Sequence, residues 1–258
     1  MILAGALVLA VGAPLLAPYD PLRQDLGHAL ARPGYAHLLG TDNIGRDVLS
    51  RVIWGTRISL LAGFVSVALA FTAGGTLGLV AGYSGGRVDG VLMRAMDAVL
   101  SFPPLVLALA LGAVLGAGLT GVLIALGVVY TPTFARIMRG QVLGISARDY
   151  VDAARALGAP AWRIACRHVL PNAATPLVVQ ASLSVAFAIL AEASLSFLGL
   201  GVQPPAASWG SMINAGRGYL QQAPWIVFGP GAALFVTVVG LSFVGDAVRD
   251  ALDPRRQS

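Results

Sequence analysis

The chain has 258 residues, of which 57% are hydrophobic and only 11% charged. A soluble domain carries about 25% charged residues, so this composition indicates an integral membrane protein. The net charge of +5 comes from 17 basic residues that are all arginine. They are scattered between apolar runs, as the positive-inside rule describes, which argues against the basic groove of a nucleic-acid-binding protein. The single cysteine, Cys166, excludes an internal disulfide framework and a multi-cysteine metal site.

Apolar segments of about 20 residues are long enough to cross the hydrocarbon core of a membrane as helices. Six segments reach or approach that length, and they predict an all-α integral membrane fold with six transmembrane helices. In chain order they are Ile2–Ala17, Ile58–Tyr83, Phe102–Leu115, Leu119–Phe134, Pro176–Leu198 and Trp225–Val244. The third and fourth are separated by Gly116-Ala117-Gly118 and contain no charge, so they are predicted to form a helical hairpin.

The first apolar segment is short enough to be compared with the core of a signal peptide. A signal peptide has a basic stretch before its apolar core, whereas here only Met1 precedes the apolar run. We therefore predict a retained transmembrane helix. A translation start upstream of Met1 would explain both the short length and the missing charges.

The distribution of arginine predicts the orientation of the bundle. If the N-terminus is inside, eleven arginines lie on the cytoplasmic side and six on the outside. This excess indicates an N-in, C-in topology, although the first external segment is more basic than the positive-inside rule favours.

Glycines recur one helical turn apart in two of the predicted spans. The second span contains Gly74, Gly78 and Gly82, and the third contains Gly112 and Gly116. Small residues at this spacing let helices approach closely in a membrane. Tight packing within the bundle is the simpler interpretation, and a surface that slides during a transport cycle is the other.

The longest predicted cytoplasmic segment lies between the fourth and fifth spans, at residues 136–172. Within it, residues 149–157 favour a helix, Gly158 suits the left-handed turn after a helix, and Pro160 suits the start of another. We call residues 149–171 the elbow. The sequence predicts that it is a helix-turn-helix.

The second half of the elbow repeats its apolar residues at i, i+3, i+4 and i+7, a spacing that places them on one helix face. These residues are Trp162, Ala165, Cys166 and Val169. Such a face must be covered, and lipid headgroups or a partner protein are the two candidates. The alternative without a partner is a surface helix that only connects two spans.

The elbow and four other stretches of the sequence resemble a known family. The Asp-Ala-Ala at 152–154, Gly158 and the closing Leu170-Pro171 resemble the cytoplasmic EAA loop of ABC-importer permeases, with Asp in place of the usual Glu. Four further stretches resemble the dipeptide/oligopeptide/nickel subfamily. They are LGTDNIGRDVLSRVIWGTRISL (39–60), GYSGGRVDGVLMRAMDAVLSFPPLVLAL (82–109), AEASLSFLGLGVQPPAASWGSMI (191–213) and GDAVRDALDPR (245–255).

This resemblance implies a fold and a mechanism. It implies an N-terminal helix and external segment at 1–56, a type 1 ABC permease domain with a five-helix core at 57–246, and a cytoplasmic tail at 247–258. It also implies that the elbow is a coupling helix that docks on an ATP-hydrolysing subunit. The coupling residues would be Asp152, Ala153, Ala154, Gly158, Trp162, Arg163, Leu170 and Pro171. His168 departs from the family, which often has an aliphatic residue there.

The resemblance further implies that the chain is half of a translocation path for peptides or related solutes in a bacterial or archaeal cytoplasmic membrane. The implied partners are a second homologous permease, two ATP-binding subunits and an external solute-binding protein, besides membrane lipid. The external segments 19–56 and 199–223 are predicted to dock the binding protein, partly because they contain Trp209 and Tyr219.

Charged residues near the spans have several interpretations. Glu192 lies inside the fifth span, where a carboxylate costs on the order of 3 kcal/mol, so it should face the bundle interior, a water-filled path or a partner. Either a structural role or a place in the translocation path fits this position. Near the third span, Asp97 is either paired with Arg94 within a turn or solvated at the membrane interface.

Two further features of the sequence bear on enzymatic and metal chemistry. The segment TDNIGRD at 41–47 lacks the last Glu of a calcium loop, so it predicts a capped turn whose arginines pair with acids. No phosphate-binding GxxxxGK[ST] loop occurs, because the chain has no lysine. The sequence thus predicts no ATPase or other enzyme activity, no cofactor and no metal. The alternative function is a secondary transporter or channel driven by an ion gradient.

Overall fold

A computed structural model describes residues 2–252 of the chain, and the regular elements in that range are helices. These are α1 (Ile2–Leu16), α2 (Val48–Ser84), α3 (Gly86–Leu100), α4 (Pro104–Leu115), α5 (Leu119–Ser146), α6 (Asp149–Ala156), α7 (Ala161–Ile164), α8 (Leu170–Phe197), α9 (Trp209–Gly216) and α10 (Trp225–Leu252). A π-helical turn, Ala165–Val169, joins α7 to α8. The predicted all-α class is confirmed for this range.

Four helices are long and apolar enough to cross a membrane: α2, α5, the continuous stretch Ala161–Phe197, and α10. Helices α3 and α4 meet at an angle of 93° and add a fifth crossing if the bent pair counts as one. Helix α1 is a shorter apolar helix. The six crossings and the N-in, C-in orientation therefore stay predictions, and the structure establishes a multi-pass helical bundle.

The second helix is longer than its apolar segment. It begins at Val48 rather than Ile58, because the carboxylate of Asp47 caps it by accepting a 2.7 Å hydrogen bond from the Ser50 amide. Its 37 residues span about 55 Å, against about 30 Å of hydrocarbon. Helix α2 is therefore too long to lie entirely within the hydrocarbon, and its first turns, which contain Arg51 and Arg57, are the part that favours the outside.

The predicted hairpin between the third and fourth spans is confirmed. Helix α4 ends at Leu115 and α5 begins at Leu119, with Gly116 and Gly118 at φ values of 90° and 142°. The left-handed backbone at these two positions favours glycine. Pro104, with no amide hydrogen, begins α4 and separates it from α3.

Tight packing of α2 on α5 confirms one of the two predicted glycine rows. A Cβ atom added at Gly74 would lie 2.4 Å from the Thr131 carbonyl oxygen, and one at Gly82 would lie 2.9 Å from Val142 Cβ. The row in the third span makes no such close approach within residues 2–252 of this chain. An added Cβ at Gly112 would meet only the Leu200 side chain at ordinary contact distance, and Gly116 lies in the turn after α4.

The segment between α1 and α2, residues 18–47, folds into what we call the external lobe. Its predicted capped turn is confirmed. Arg46 Nε lies 2.6 Å from Asp42 Oδ2, and Arg51 Nε lies 3.8 Å from the same oxygen. Asp47 caps α2 and also lies 2.9 Å from His37 Nδ1. The lobe is thereby connected to the first turns of α2.

Trp209 is not available to a partner protein, which corrects its assignment to a docking surface. Its side chain is 1% exposed, and its indole nitrogen donates a 3.1 Å hydrogen bond to the carbonyl oxygen of Val52. Trp209 is the first residue of α9, directly after the capping box of Ser208 and Ser211, and its backbone amide also donates to the Ser59 hydroxyl of α2 at 3.4 Å. Tyr219 is half-buried.

Ion pairs join α3 to α5 across the bundle. Asp97 pairs with Arg136 at 2.5 Å, so its partner is on another helix and not the nearby Arg94. Both side chains of this pair are exposed. Asp89 pairs with Arg139 through two hydrogen bonds of 2.5 and 2.6 Å. Sequence spacing identifies pairs within one helix, whereas these depend on how two helices pack.

Candidate functional site

The elbow has the predicted helix-turn-helix form. Helix α6 ends in a Schellman motif, in which the Gly158 amide donates to the Arg155 carbonyl at 2.9 Å and the Ala159 amide donates to the Ala154 carbonyl at 3.1 Å. Gly158 has φ +76°, as this motif requires. Pro160 is the N-cap of α7. The chain thus reverses within a few residues and continues through the π turn into α8.

The inner side of the elbow is anchored in the bundle. Val151, Ile164 and Val169 are at most 1% exposed and belong to the same buried cluster as Val142 of α5 and Leu177 of α8. A displacement of the elbow would therefore be transmitted to α5 and α8 through packed side chains. Protein interiors are too densely packed to absorb such a displacement locally.

The prediction of which residues share the apolar face in the second half of the elbow is wrong. Val169 is buried, whereas Trp162 is 65% exposed and Cys166 is also exposed. The buried residues are Ile164 and Val169, five positions apart, because the π turn uses hydrogen bonds between residues five apart instead of four. A regular α-helix, which the spacing argument assumed, would have put Trp162 and Val169 together.

The outer side of the elbow presents large apolar side chains among charges. Leu157 is 88% exposed and Trp162 is 65% exposed. Arg163 lies over the Trp162 ring, with its guanidinium carbon 5.7 Å from the ring centroid. On α6, Arg155 pairs with Asp152 at 2.8 Å. An exposed tryptophan beside arginine is a combination common where proteins bind partners.

The remaining predicted elbow residues divide between the two sides. Ala153 and Pro171 are exposed, and Ala154 and Leu170 are partly buried against the core. The structure therefore places Asp152, Ala153 and Gly158 on the exposed side with Trp162.

Glu192, the other predicted site residue, is fully buried in α8. Its Oε1 accepts a 2.6 Å hydrogen bond from Ser196, and its Oε2 accepts a 3.3 Å bond from Ser59 of α2. Ser208 donates in turn to the Ser196 hydroxyl at 3.3 Å. These hydroxyl groups offset part of the cost of burying a carboxylate. The cluster connects α2, α8 and the loop before α9.

Sequence reasoning did not identify the three serines around Glu192. Ser196 is one turn further along α8 and could have been found from its i, i+4 spacing. Ser59 is 133 residues away from Glu192 in the chain. No local pattern marks that contact, because it depends on the packing of α2 on α8.

The sequence model of the family described as "Binding-protein-dependent transport system inner membrane component" matches residues 74–258, well over half of the chain. The chain belongs to this family. The match covers α3 through α10, and so includes the elbow and Glu192 with Ser196 and Ser208, whereas Ser59 of α2 lies outside it. The predicted resemblance to permeases of binding-protein-dependent importers is confirmed.

Individual relatives extend the match to the N-terminal part of this permease. The probable D,D-dipeptide transport system permease protein DdpC of Escherichia coli is 45% identical over 96% of this chain and 84% of its own length. The di/tripeptide permease DppC of Pseudomonas aeruginosa is 45% identical, over 95% of this chain and 83% of its own. The glutathione permease GsiD of Pectobacterium atrosepticum is 42% identical over 98% of this chain and 84% of its own length.

The fold of this permease is similar to that of solved transporters. A structure of the MetNI methionine ABC transporter in an inward-facing conformation aligns with a TM-score of 0.64, covering 78% of this chain and 96% of that chain. The sequence identity is 21%, so the comparison concerns the fold alone.

Proposed function

We propose that this permease imports dipeptides, oligopeptides or a related solute such as glutathione or a nickel complex, and that it forms half of the translocation path. The similarity to D,D-dipeptide, di/tripeptide and glutathione permeases over nearly the whole chain supports this substrate class. The second half of the path would come from a homologous permease chain. An external solute-binding protein would deliver the solute.

The energy for import would come from two ATP-binding subunits that dock on the elbow. The chain has no lysine and hence no lysine-containing phosphate loop of its own. The proposed N-in, C-in topology in a bacterial cytoplasmic membrane places the elbow on the side where ATP is available. The protein itself would catalyse no reaction.

The observation that best supports this proposal is that the elbow is exposed on one side and packed against the bundle on the other. Leu157 and Trp162 project outward, while Ile164 and Val169 are buried against α5 and α8. Closure of the ATP-binding subunits would push the outer side, and the anchored side would move the two membrane helices. Alternating access would then follow from rocking of this bundle against its homologue.

Glu192 remains a candidate residue of the translocation path. Its contacts within this subunit support a structural role in addition. The carboxylate is bonded to hydroxyl groups from α2 and α8 inside this subunit. It would keep these two helices in register while the elbow moves.

Replacing Trp162 with alanine tests the docking role of the elbow. Truncating a central aromatic residue at an interface typically costs about 2 kcal/mol, or roughly 30-fold in affinity. Trp162→Ala should therefore reduce the ATP-binding subunit that co-purifies with the permease and slow ATP-driven peptide uptake into proteoliposomes. Because the side chain is exposed, the variant should fold normally.

Phe235→Ala is the matched control. Phe235 on α10 is 68% exposed, close to the value for Trp162, but lies away from the elbow. Normal subunit binding in both variants would contradict the docking proposal. Uptake that needs no ATP-binding subunit and is abolished by an ionophore would favour the ion-gradient alternative.

A further inference from the structure

A cavity of about 830 Å³ lies where α1 ends, α2 leaves the membrane and α5 begins. Its wall includes Pro14 of α1, Ile58 and Leu61 of α2, and Leu119 of α5. Trp54 and Arg57, one turn nearer the external lobe, line it as well. Apolar and basic groups thus occupy different levels of one cavity.

The level of the cavity in the membrane follows from the sequence of α2. Residues 58–86 contain no charged side chain, and Arg57 directly precedes this run. Tyr19 and Trp54 in the wall are the residue types that concentrate at the boundary between hydrocarbon and headgroups. Arg57 therefore lies at headgroup level. Leu61, one turn deeper and 46% exposed, lies in the hydrocarbon.

The basic side chains of the wall have too few acidic partners. Within residues 2–252 no ion pair joins Arg57 to a carboxylate, and its guanidinium carbon lies 5.2 Å from the centroid of the Trp54 ring. Arg51 shares the single carboxylate of Asp42 with Arg46. Asp20 is the one carboxylate among the residues that line the cavity, against the two guanidinium groups of Arg51 and Arg57. The wall has a net positive charge.

We propose that this cavity is a binding site for an anionic phospholipid of the leaflet next to the external lobe. Its phosphate would lie at Arg57, with Arg51 adding positive charge, and an acyl chain would run along Pro14, Ile58 and Leu61. Arginine suits a phosphate because its planar guanidinium donates two parallel hydrogen bonds. A soluble protein would reach only the headgroup level, and a partner helix would need an acidic residue at Arg57. An anionic lipid meets both levels at once.

The bound lipid would connect three elements at the outer end of the bundle. Helix α1 lies against α2, and the wall of the cavity also includes Ala206 and Ala207 from the loop before α9. A lipid held there would support α1 on the rest of the permease. This site is separate from the elbow and from Glu192, and it does not depend on the proposed solute.

Native mass spectrometry of the full-length protein, released from nanodiscs of equal parts phosphatidylglycerol and phosphatidylcholine, tests the proposal. The wild-type protein should retain phosphatidylglycerol in preference to phosphatidylcholine. Arg57→Gln should reduce that preference about fivefold, the factor expected for one basic residue at an anionic headgroup. Arg23→Gln, which removes an exposed arginine of the external lobe outside the cavity wall, should leave it unchanged.

A second variant tests the cavity and not only its charge. Ala206→Trp would fill the space from an exposed loop position and should reduce the retention of both lipids. Elution of each variant as a single folded species in size-exclusion chromatography is the folding control. Equal retention of the two lipids by the wild type, or an unchanged preference in Arg57→Gln, would refute the site. In a Cys166→Ser background, cross-links from Leu61→Cys, in the apolar part of the wall, to a co-purified protein would also refute it, because they would show a protein in the cavity.

Discussion

Substituting Gly78 with alanine should separate α2 from α5. A Cβ atom at this position would lie 2.3 Å from the Ala135 carbonyl oxygen and 2.7 Å from the Met138 Cβ atom. Both atoms belong to the backbone or to its first side-chain carbon, so neither can rotate away. Since carbon–oxygen contacts closer than about 3.4 Å are repulsive, the two helices must move apart by about 1 Å at this level.

The expected cost follows from two opposing contributions. Overpacking a well-packed interface costs about 1–3 kcal/mol, and a clash with backbone belongs at the upper end of that range. Alanine in place of glycine within a helix stabilises the helix by about 1 kcal/mol. Gly78→Ala should therefore lower the free energy of unfolding by about 2 kcal/mol.

Unfolding of the purified protein by a graded detergent-to-SDS exchange, followed by circular dichroism, measures this quantity. Gly144→Ala is the matched control, because Gly144 is in α5 and an added Cβ there meets nothing within 4 Å. The control should be neutral or slightly stabilising, by up to about 1 kcal/mol. Equal unfolding midpoints for the two variants would refute this reasoning, because they would show that a Cβ atom at position 78 does not disturb the contact between α2 and α5.

Two further predictions concern the buried carboxylate and the elbow. Glu192→Leu leaves the hydroxyl groups of Ser59 and Ser196 without their acceptor and should destabilise the protein by about 2 kcal/mol in the same SDS assay, whereas Glu192→Gln keeps an acceptor oxygen and should cost less. A leucine variant as stable as the glutamine variant would argue against the hydrogen-bonded cluster. Gly158→Ala places a Cβ on a left-handed backbone at a cost of about 1–2 kcal/mol, so amide exchange in the elbow should accelerate about tenfold, while Gly158→Asn should accelerate it less. Identical exchange in all three proteins would contradict the Schellman turn.

Local patterns in the sequence predicted those features that depend on short stretches of chain. The turn at Gly116 and Gly118, the capped turn at 41–47 with its Asp42–Arg46 pair, and the elbow turn at Gly158 each depend on a few consecutive residues and their allowed backbone angles. The sequence failed where it assumed a regular period. The π turn at Ala165–Val169 moved Val169 to the buried side and left Trp162 exposed.

Contacts between distant segments were beyond local reasoning for a different reason. Asp97 has an arginine of its own helix within reach in sequence, yet it pairs with Arg136 because α3 packs on α5. Trp209 resembles an exposed aromatic residue of a loop, yet it is buried on Val52 of α2. In each case the partner is determined by the position of a helix, and sequence spacing along one helix carries no information about that position.

The sequence alone determined that this is a helical membrane protein with a basic, interrupted segment between two apolar runs, because hydrocarbon selects for apolar length and for backbone hydrogen bonds made within each helix. Only the tertiary structure decided which side of that segment is anchored and which is exposed. It also brought Glu192 to Ser59 and placed Arg57 in the wall of the cavity, one turn from the apolar Leu61. Those arrangements arise from the close packing of α2 against α5 and α8, in which each side chain's surroundings are supplied by residues far away in the chain.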